Sequence, residues 1–201
     1  MSAEGRILPT EFFARPALQL APDLLGRTLV RVLDGRRLAL RITEVEAYGA
    51  RHRGRIDRAC HASRGLTPRT EIMFGPPGRA YIYLIYGMHH CLNFVCAREG
   101  LAQAVLVRAG LPLEGVDRIG ELRAGRPRSE WASGPGRLCA ALALTREENG
   151  LPLRPPELWL EAGSPTPRAR RRRGPRIGVD YAGEAAAWLW RWWDEIREEG
   201  S

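Results

Sequence analysis

Lysine is missing from this chain altogether; every one of its 31 basic Lys-or-Arg positions is arginine. That excludes a side-chain amine as nucleophile, and with it any Schiff-base chemistry through lysine. Cysteine is scarce. The four present, Cys60, Cys91, Cys96 and Cys139, form no C-x-x-C pair and sit mostly in apolar runs. With no secretory pattern at the N-terminus, they are expected to be buried, reduced thiols of a cytoplasmic protein. No apolar run approaches the length of a membrane span. His89, His90 and Cys91 are consecutive, and neighbours on a strand face opposite ways, so they make a poor metal site. Neither a metal nor any other cofactor is expected.

What remains is arginine in excess. The formal charge is +8 over 201 residues, a length that fits one domain able to bury its own core. Guanidinium groups fork onto phosphate oxygens, so a polyanionic partner is expected.

The most informative stretch is Arg79–Asn93 (RAYIYLIYGMHHCLN). Tyr81, Tyr83 and Ile85 alternate with Ile82, Leu84 and Tyr86, which reads as a strand. Gly87 interrupts it, and HCLNFVC resumes a second strand, so a hairpin is expected with Tyr86 and Met88 at its tip. An exposed aromatic at a tip suits a wedge between base steps. Packing within a core hairpin is the ordinary alternative.

Along the rest of the chain, 1–9 reads as a loose start and 197–201 as a fraying end. Thr10 is a candidate N-cap for a short helix over EFFAR, with another turn or two at Ala21–Gly26. Asp34-Gly35 joins two alternating runs, Thr28–Leu33 and Leu38–Tyr48, as a hairpin turn. Residues 49–78 are polar and rich in Gly and Pro, which reads as a long functional loop. Ala102–Val107 is a further strand ending in Arg108. Helices are expected over Leu113–Ala124 and Pro135–Leu144, and a short strand over Glu157–Glu161. The arginine-dense run Arg168–Arg173 makes 163–176 a mobile basic loop, and a last strand begins at Trp188.

Glu44, Glu46 and Tyr48 share one face of their run. Two alternating glutamates usually mark a solvent-facing side, but a carboxylate just before a long loop is also a candidate general base. The order of motifs is more specific: Glu46-Ala47-Tyr48, Cys60-His61-Ala62-Ser63-Arg64-Gly65, Thr67-Pro68-Arg69, Met73-Phe74, Tyr81-Ile82-Tyr83, Tyr86-Gly87-Met88, Asn93, Arg108, and Ser133-Gly134-Pro135 with Arg137-Leu138-Cys139. From about Thr10 to about Trp193 this series closely resembles the alkyladenine (3-methyladenine) DNA glycosylases.

The resemblance implies an α+β single domain: a curved antiparallel sheet, a protruding β-hairpin and surrounding helices. It implies a monofunctional enzyme of base-excision repair that flips alkylated or deaminated purines from duplex DNA and hydrolyses the N-glycosidic bond. Glu46 matches the general base, and Arg108 the arginine that helps hold the attacking water. Tyr48, His61 and Tyr83 match the residues around the extruded purine, and Asn93 the one that disfavours guanine. Tyr86 matches the wedge, beside Met88 and His89, while Thr67, Arg69 and Arg137 match phosphate contacts. The implied partner is double-stranded DNA with damaged purines, met by a monomer without a membrane. His89-His90 at the tip and Gly136 in the helix-entry motif depart from the pattern, the latter at the expense of a phosphate contact.

Two rivals stand beside this reading. A non-enzymatic binder of damaged DNA could use the same wedge hairpin. A zinc nucleobase deaminase needs H-x-E with P-C-x-x-C, and neither motif occurs.

Overall fold

The computed structural model describes residues 5–195. Residues 1–4 and 197–201, part of the expected loose ends, lie outside the described residues. Strands β1 (Thr28–Leu33), β2 (Arg36–Gly49), β3 (Arg51–His52), β4 (Arg55–Ile56), β5 (Ala80–Ile85), β6 (His89–Val95), β7 (Gln103–Glu114), β8 (Leu158–Glu161), β9 (Arg171–Gly174) and β10 (Arg191–Asp194) surround four helices. These are α1 (Ala17–Leu24), α2 (Glu71–Phe74), α3 (Val116–Leu122) and α4 (Pro135–Ala141). The main sheet is antiparallel and open, in the order β5-β6-β7-β2-β1-β8, with β10 joining β2 and β9 joining β10. This is the expected α+β single domain.

Strand β2 is the spine. One of its edges pairs with β7 along its length; the other pairs first with β1 and then, beyond Arg41, with β10. The register against β7 slips between Ile42 and Val45, which leaves Thr43 extra on β2 and Arg108 extra on β7. Such a bulge inverts the alternation. Before it, Leu38, Leu40 and Ile42 enter the main core; after it, Val45 and Ala47 do. Glu44, Glu46 and Tyr48 are thereby carried to the opposite face. Without the bulge, two carboxylates would continue the line of Leu40 and Ile42 into apolar packing.

That core is closed by Leu20 and Leu24 of α1, Ile119 of α3, and Leu138, Cys139 and Ala141 of α4. The Gln103 side chain accepts from the Ala17 amide at 2.8 Å, satisfying one donor at the start of α1 that has no partner within the helix. Hairpin β5–β6 has a three-residue connection. The Tyr86 and Gly87 backbones both take positive φ, 53° and 68°, and the Met88 amide returns to the Ile85 carbonyl at 3.2 Å. That is a type I′ turn, and it leaves Tyr86 81% and Met88 72% exposed.

Several expectations are corrected. The cap at Thr10 is absent: Pro9 occupies the N-cap, and Thr10–Phe12 is a single 3₁₀ turn. The next helix starts earlier than Ala21, at Ala17. Residues 49–78 hold the small β3–β4 hairpin, a 3₁₀ turn at His61–Arg64 and α2. The helix expected from Leu113 starts at Val116, because β7 runs on to Glu114 with its last leucines exposed. Helix α4 stops at Ala141 rather than Leu144. The final strand begins at Arg191, after a 3₁₀ stretch over Asp180–Ala187.

The 163–176 segment is not a loop throughout. Three of its arginines pair with acids: Arg170 forks onto Asp194 at 2.7 and 2.9 Å, Arg171 reaches Asp23 at 3.2 Å and Arg172 meets Glu195, while β9 pairs with β10. Acids distant in sequence turned a charged run into a strand. Residues 5–9 are tied as well, through the Leu8 amide on the Leu160 carbonyl at 2.8 Å.

Candidate active site

The second face of β2 looks onto a cavity of about 420 Å³, within the usual range for a small-molecule site. Its walls come from the end of β2 (Tyr48), the 59–61 turn (Ala59, His61), hairpin β5–β6 (Tyr83, Tyr86, His89, Asn93), β7 (Leu106, Arg108), the start of α4 and the 177–181 segment. Parity explains the β7 contribution. Val105 and Val107 point into the core, so Leu106 and Arg108 point the other way.

Glu46 lies beneath this cavity with no exposed surface. Its Oε2 accepts the Tyr48 hydroxyl at 2.7 Å and faces Arg108 Nη1 at 3.3 Å, while its Oε1 accepts the Ile177 amide at 2.7 Å. Both donors and the ion-pair partner belong to residues that line the cavity. Glu44 is engaged differently, by Arg108 Nε at 3.1 Å and Arg191 at 2.9 Å. Glu44 is therefore an ion-pair bridge between strands, and Glu46 is the buried carboxylate held by neutral donors and one arginine. Burial pulls the Arg108 guanidinium down, but Glu46 and Glu44 outweigh it and leave it more firmly charged than usual. Tyr48 is raised well above the ordinary phenol value by burial and by Glu46, so its hydroxyl stays a donor.

The aromatic side is built on the alternation of β5. Tyr81 and Tyr83 share a face with ring centroids 5.5 Å apart, and His61 meets Tyr83 edge-on at 4.5 Å. His61 Nδ1 lies 2.9 Å from the Tyr81 hydroxyl, and Arg69 Nη2 lies 3.4 Å from Nε2. An arginine can only donate, so Nε2 is the acceptor and Nδ1 carries the proton. Burial, with help from Arg69, lowers His61 to about 4, which keeps the ring neutral near pH 7. The Asn93 amide is held by two main-chain carbonyls, Tyr81 at 3.1 Å and Cys91 at 3.2 Å.

The structure thus brings Glu46, Arg108, Tyr48, His61, Tyr83, Asn93, Tyr86 and His89 around one cavity. Arg69 stands at its rim, 5.5 Å over the Tyr83 ring. Arg137 also lines it, steadied by Ser133 Oγ at 3.1 Å and Glu130 at 3.3 Å. Thr67 and Met88 are outside its walls: Thr67 turns the chain into α2 through Thr70, and Met88 stands on the hairpin tip. Gly136 has a packing reason, since a Cβ there would stand 2.9 Å from the His89 Cβ. The glycine lets α4 close against the tip end of the hairpin. Among the described residues there is no cluster of three or more His, Cys, Asp or Glu side chains able to hold a metal.

Sequence reasoning missed Asp57, Arg176, Ile177 and Tyr181. Ile177 supplies a main-chain amide, which no side-chain pattern announces. A signal did exist for Asp57, the single acid between Glu46 and Glu71 in an arginine-rich stretch.

Comparison with known proteins identifies a family. The model of the methylpurine-DNA glycosylase family matches residues 11–198. A Methanocella arvoryzae protein is 50% identical over 192 residues, covering 94% of this chain and 92% of the relative. A Myxococcus xanthus protein is 53% identical over 186 residues, covering 92% and 89%. A third, from Streptomyces avermitilis, is 47% identical over 190 residues, covering 92% and 86%. Each of the three carries the name "Putative 3-methyladenine DNA glycosylase".

Proposed function

The chain belongs to the methylpurine-DNA glycosylase family, and from that premise we propose that it excises alkylated or deaminated purines flipped out of duplex DNA. The single observation that carries the reading is Glu46, an entirely buried carboxylate whose two donors and arginine partner all line an aromatic cavity. A protein that only bound DNA would gain nothing from sinking a carboxylate there, where its desolvation is costly.

The chemistry follows from the groups present. A purine such as 3-methyladenine carries positive charge and leaves as a neutral base, taking the electron pair of the glycosidic bond. The sugar left behind is oxocarbenium-like, and the buried negative charge of Glu46 stabilises it. A carboxylate offers about four acceptor sites. The Tyr48 hydroxyl and the Ile177 amide occupy two, with Arg108 paired by charge at 3.3 Å, which leaves acceptor capacity for a water admitted from the cavity. That water adds its oxygen to C1′ and gives its proton to Glu46. A neutral lesion such as hypoxanthine must also gain a proton to leave.

Base flipping costs stacking, which the pocket has to return. Tyr48, His61 and Tyr83 supply the aromatic surfaces, and neutral His61 avoids repelling a cationic base. The tethered Asn93 amide crowds the amino group of an undamaged guanine. Tyr86 fills the gap left in the duplex, with Met88 and His89 beside it, while Arg69, Arg137 and Thr67 meet the backbone. One chain forms the whole cavity, so a monomer suffices. With no lysine amine, the products are the free base and an intact abasic strand.

The test is chromatographic. Incubated with methylated or hypoxanthine-containing duplex, the protein releases the free modified purine; a folded protein leaving both lesions in place would defeat the proposal.

A further inference from the structure

The Arg176–Asp57 pair lies outside the chemistry described so far, and its place in the fold gives it a task. Both side chains are fully buried. Arg176 Nη1 and Nη2 each meet an Asp57 oxygen at 2.7 Å. The same two nitrogens also donate to the Ala47 and Ala185 carbonyls, both at 3.1 Å. All four terminal N–H groups are therefore used. The guanidinium lies 4.8 Å from the centre of the Tyr48 ring and 5.0 Å from that of Trp190. Asp57 in turn accepts the Gly49 amide at 3.3 Å and the Ala59 amide at 3.1 Å.

These contacts converge on Glu46. Ala47 is the residue between Glu46 and Tyr48, so Arg176 grips the strand that presents both. Ile177, whose amide reaches Glu46 Oε1, is the next residue after Arg176. The Ile177 side chain cannot hold that amide in place, because it is half exposed. The segment before it is anchored at Pro175, whose carbonyl accepts from Arg191 Nε at 2.9 Å, and at Arg176 by the fourfold contact. Asp57 completes the brace by pinning Gly49, at the end of β2, and Ala59, in the cavity wall.

We propose that Arg176 and Asp57 are positioning residues for Glu46, holding the Ile177 amide and the Tyr48 hydroxyl on the carboxylate. This rests on the glycosylase reading above. A lysine at 176 keeps the charge but cannot make the fourfold contact, and an asparagine at 57 keeps the size but not the charge. Ile177→Pro replaces the amide hydrogen with a ring carbon and so displaces the donor from the carboxylate, with neither member of the ion pair substituted.

The experiment compares single-turnover base release at saturating enzyme with equilibrium binding of lesion duplex. The proteins are wild type, Arg176→Lys, Asp57→Asn, Ile177→Pro, and Ile177→Pro combined with either of the first two. Each of the three single changes is expected to slow release about tenfold or more while affinity stays within about threefold of wild type. Because the changes all act through the same carboxylate, each combination is expected to be no more than about twofold slower than its slower parent. A melting curve checks folding. If Arg176→Lys does not fold, Asp57→Asn carries the same comparison. Release at the wild-type rate in the folded variants, multiplicative losses in the combinations, or losses that track affinity would each overturn the assignment. A wild type that releases no base overturns the glycosylase reading as well, whereas an active wild type with unaffected variants overturns only the positioning role.

Discussion

The Tyr48 hydroxyl donates to Glu46 Oε2 at 2.7 Å, from a residue two positions along the same strand. Residues i and i+2 share a face, so the strand brings the two side chains together, and the Arg176 guanidinium packs 4.8 Å over the Tyr48 ring. The Thr43 bulge decides that this face looks into the cavity.

Tyr48→Phe keeps the ring and removes the donor. A hydrogen bond to a charged group contributes about 1.5–3 kcal/mol, so base release should fall roughly tenfold or more. Lesion-duplex affinity should change little. Single-turnover rates beside binding isotherms check this, and equal losses in both would assign Tyr48 to binding alone.

Tyr86 holds a positive φ of 53° while being 81% exposed. A left-handed backbone costs a non-glycine residue about 1–2 kcal/mol, and nothing in the fold repays it. Tyr86→Gly should therefore leave the melting temperature unchanged or higher, yet weaken capture of lesion duplex. Excess protein over DNA should recover part of the excision rate. If Tyr86→Gly matched wild type in affinity and steady-state excision, the wedge role would be wrong.

His61 gives a pH dependence with a definite sign. Burial and Arg69 lower it from 6.5 to about 4. Between those values the unfolded chain binds the proton and the folded chain does not. The contribution is therefore complete above about pH 6.5 and is lost as pH falls toward 4. His61→Gln should flatten that part of the slope. Denaturant midpoints of both proteins at about pH 7.5 and about pH 4.5 measure it; identical slopes would show that His61 titrates normally.

Local pattern carried much of this fold into the sequence. The Asp34-Gly35 turn and the β5–β6 hairpin announced themselves through period-two alternation and glycine, and so did the shared face of Tyr81 and Tyr83. The bulge did not, because a single extra residue leaves no compositional trace, although Leu38, Leu40, Ile42 and Glu44 in one parity already conflicted. Leu113 matched helical spacing with Val116 and Ile119, but pairing with β2 extended the strand to Glu114. The segments 49–78 and 163–176 read as loops because a polar sequence looks the same whether its side chains are exposed or paired. Their order comes from contacts such as Arg176 with Asp57, 119 positions apart, which no local window can contain. The main-chain donor at Ile177 was illegible for the same reason.

The most direct measurement is single-turnover release of a methylated purine by wild type and by Glu46→Gln, with lesion-duplex binding recorded in parallel. A general base contributes roughly 10²–10⁴-fold, so the glutamine variant should lose base release by at least about a hundredfold while still binding the lesion. A glutamine variant that bound and released base like wild type would contradict the account.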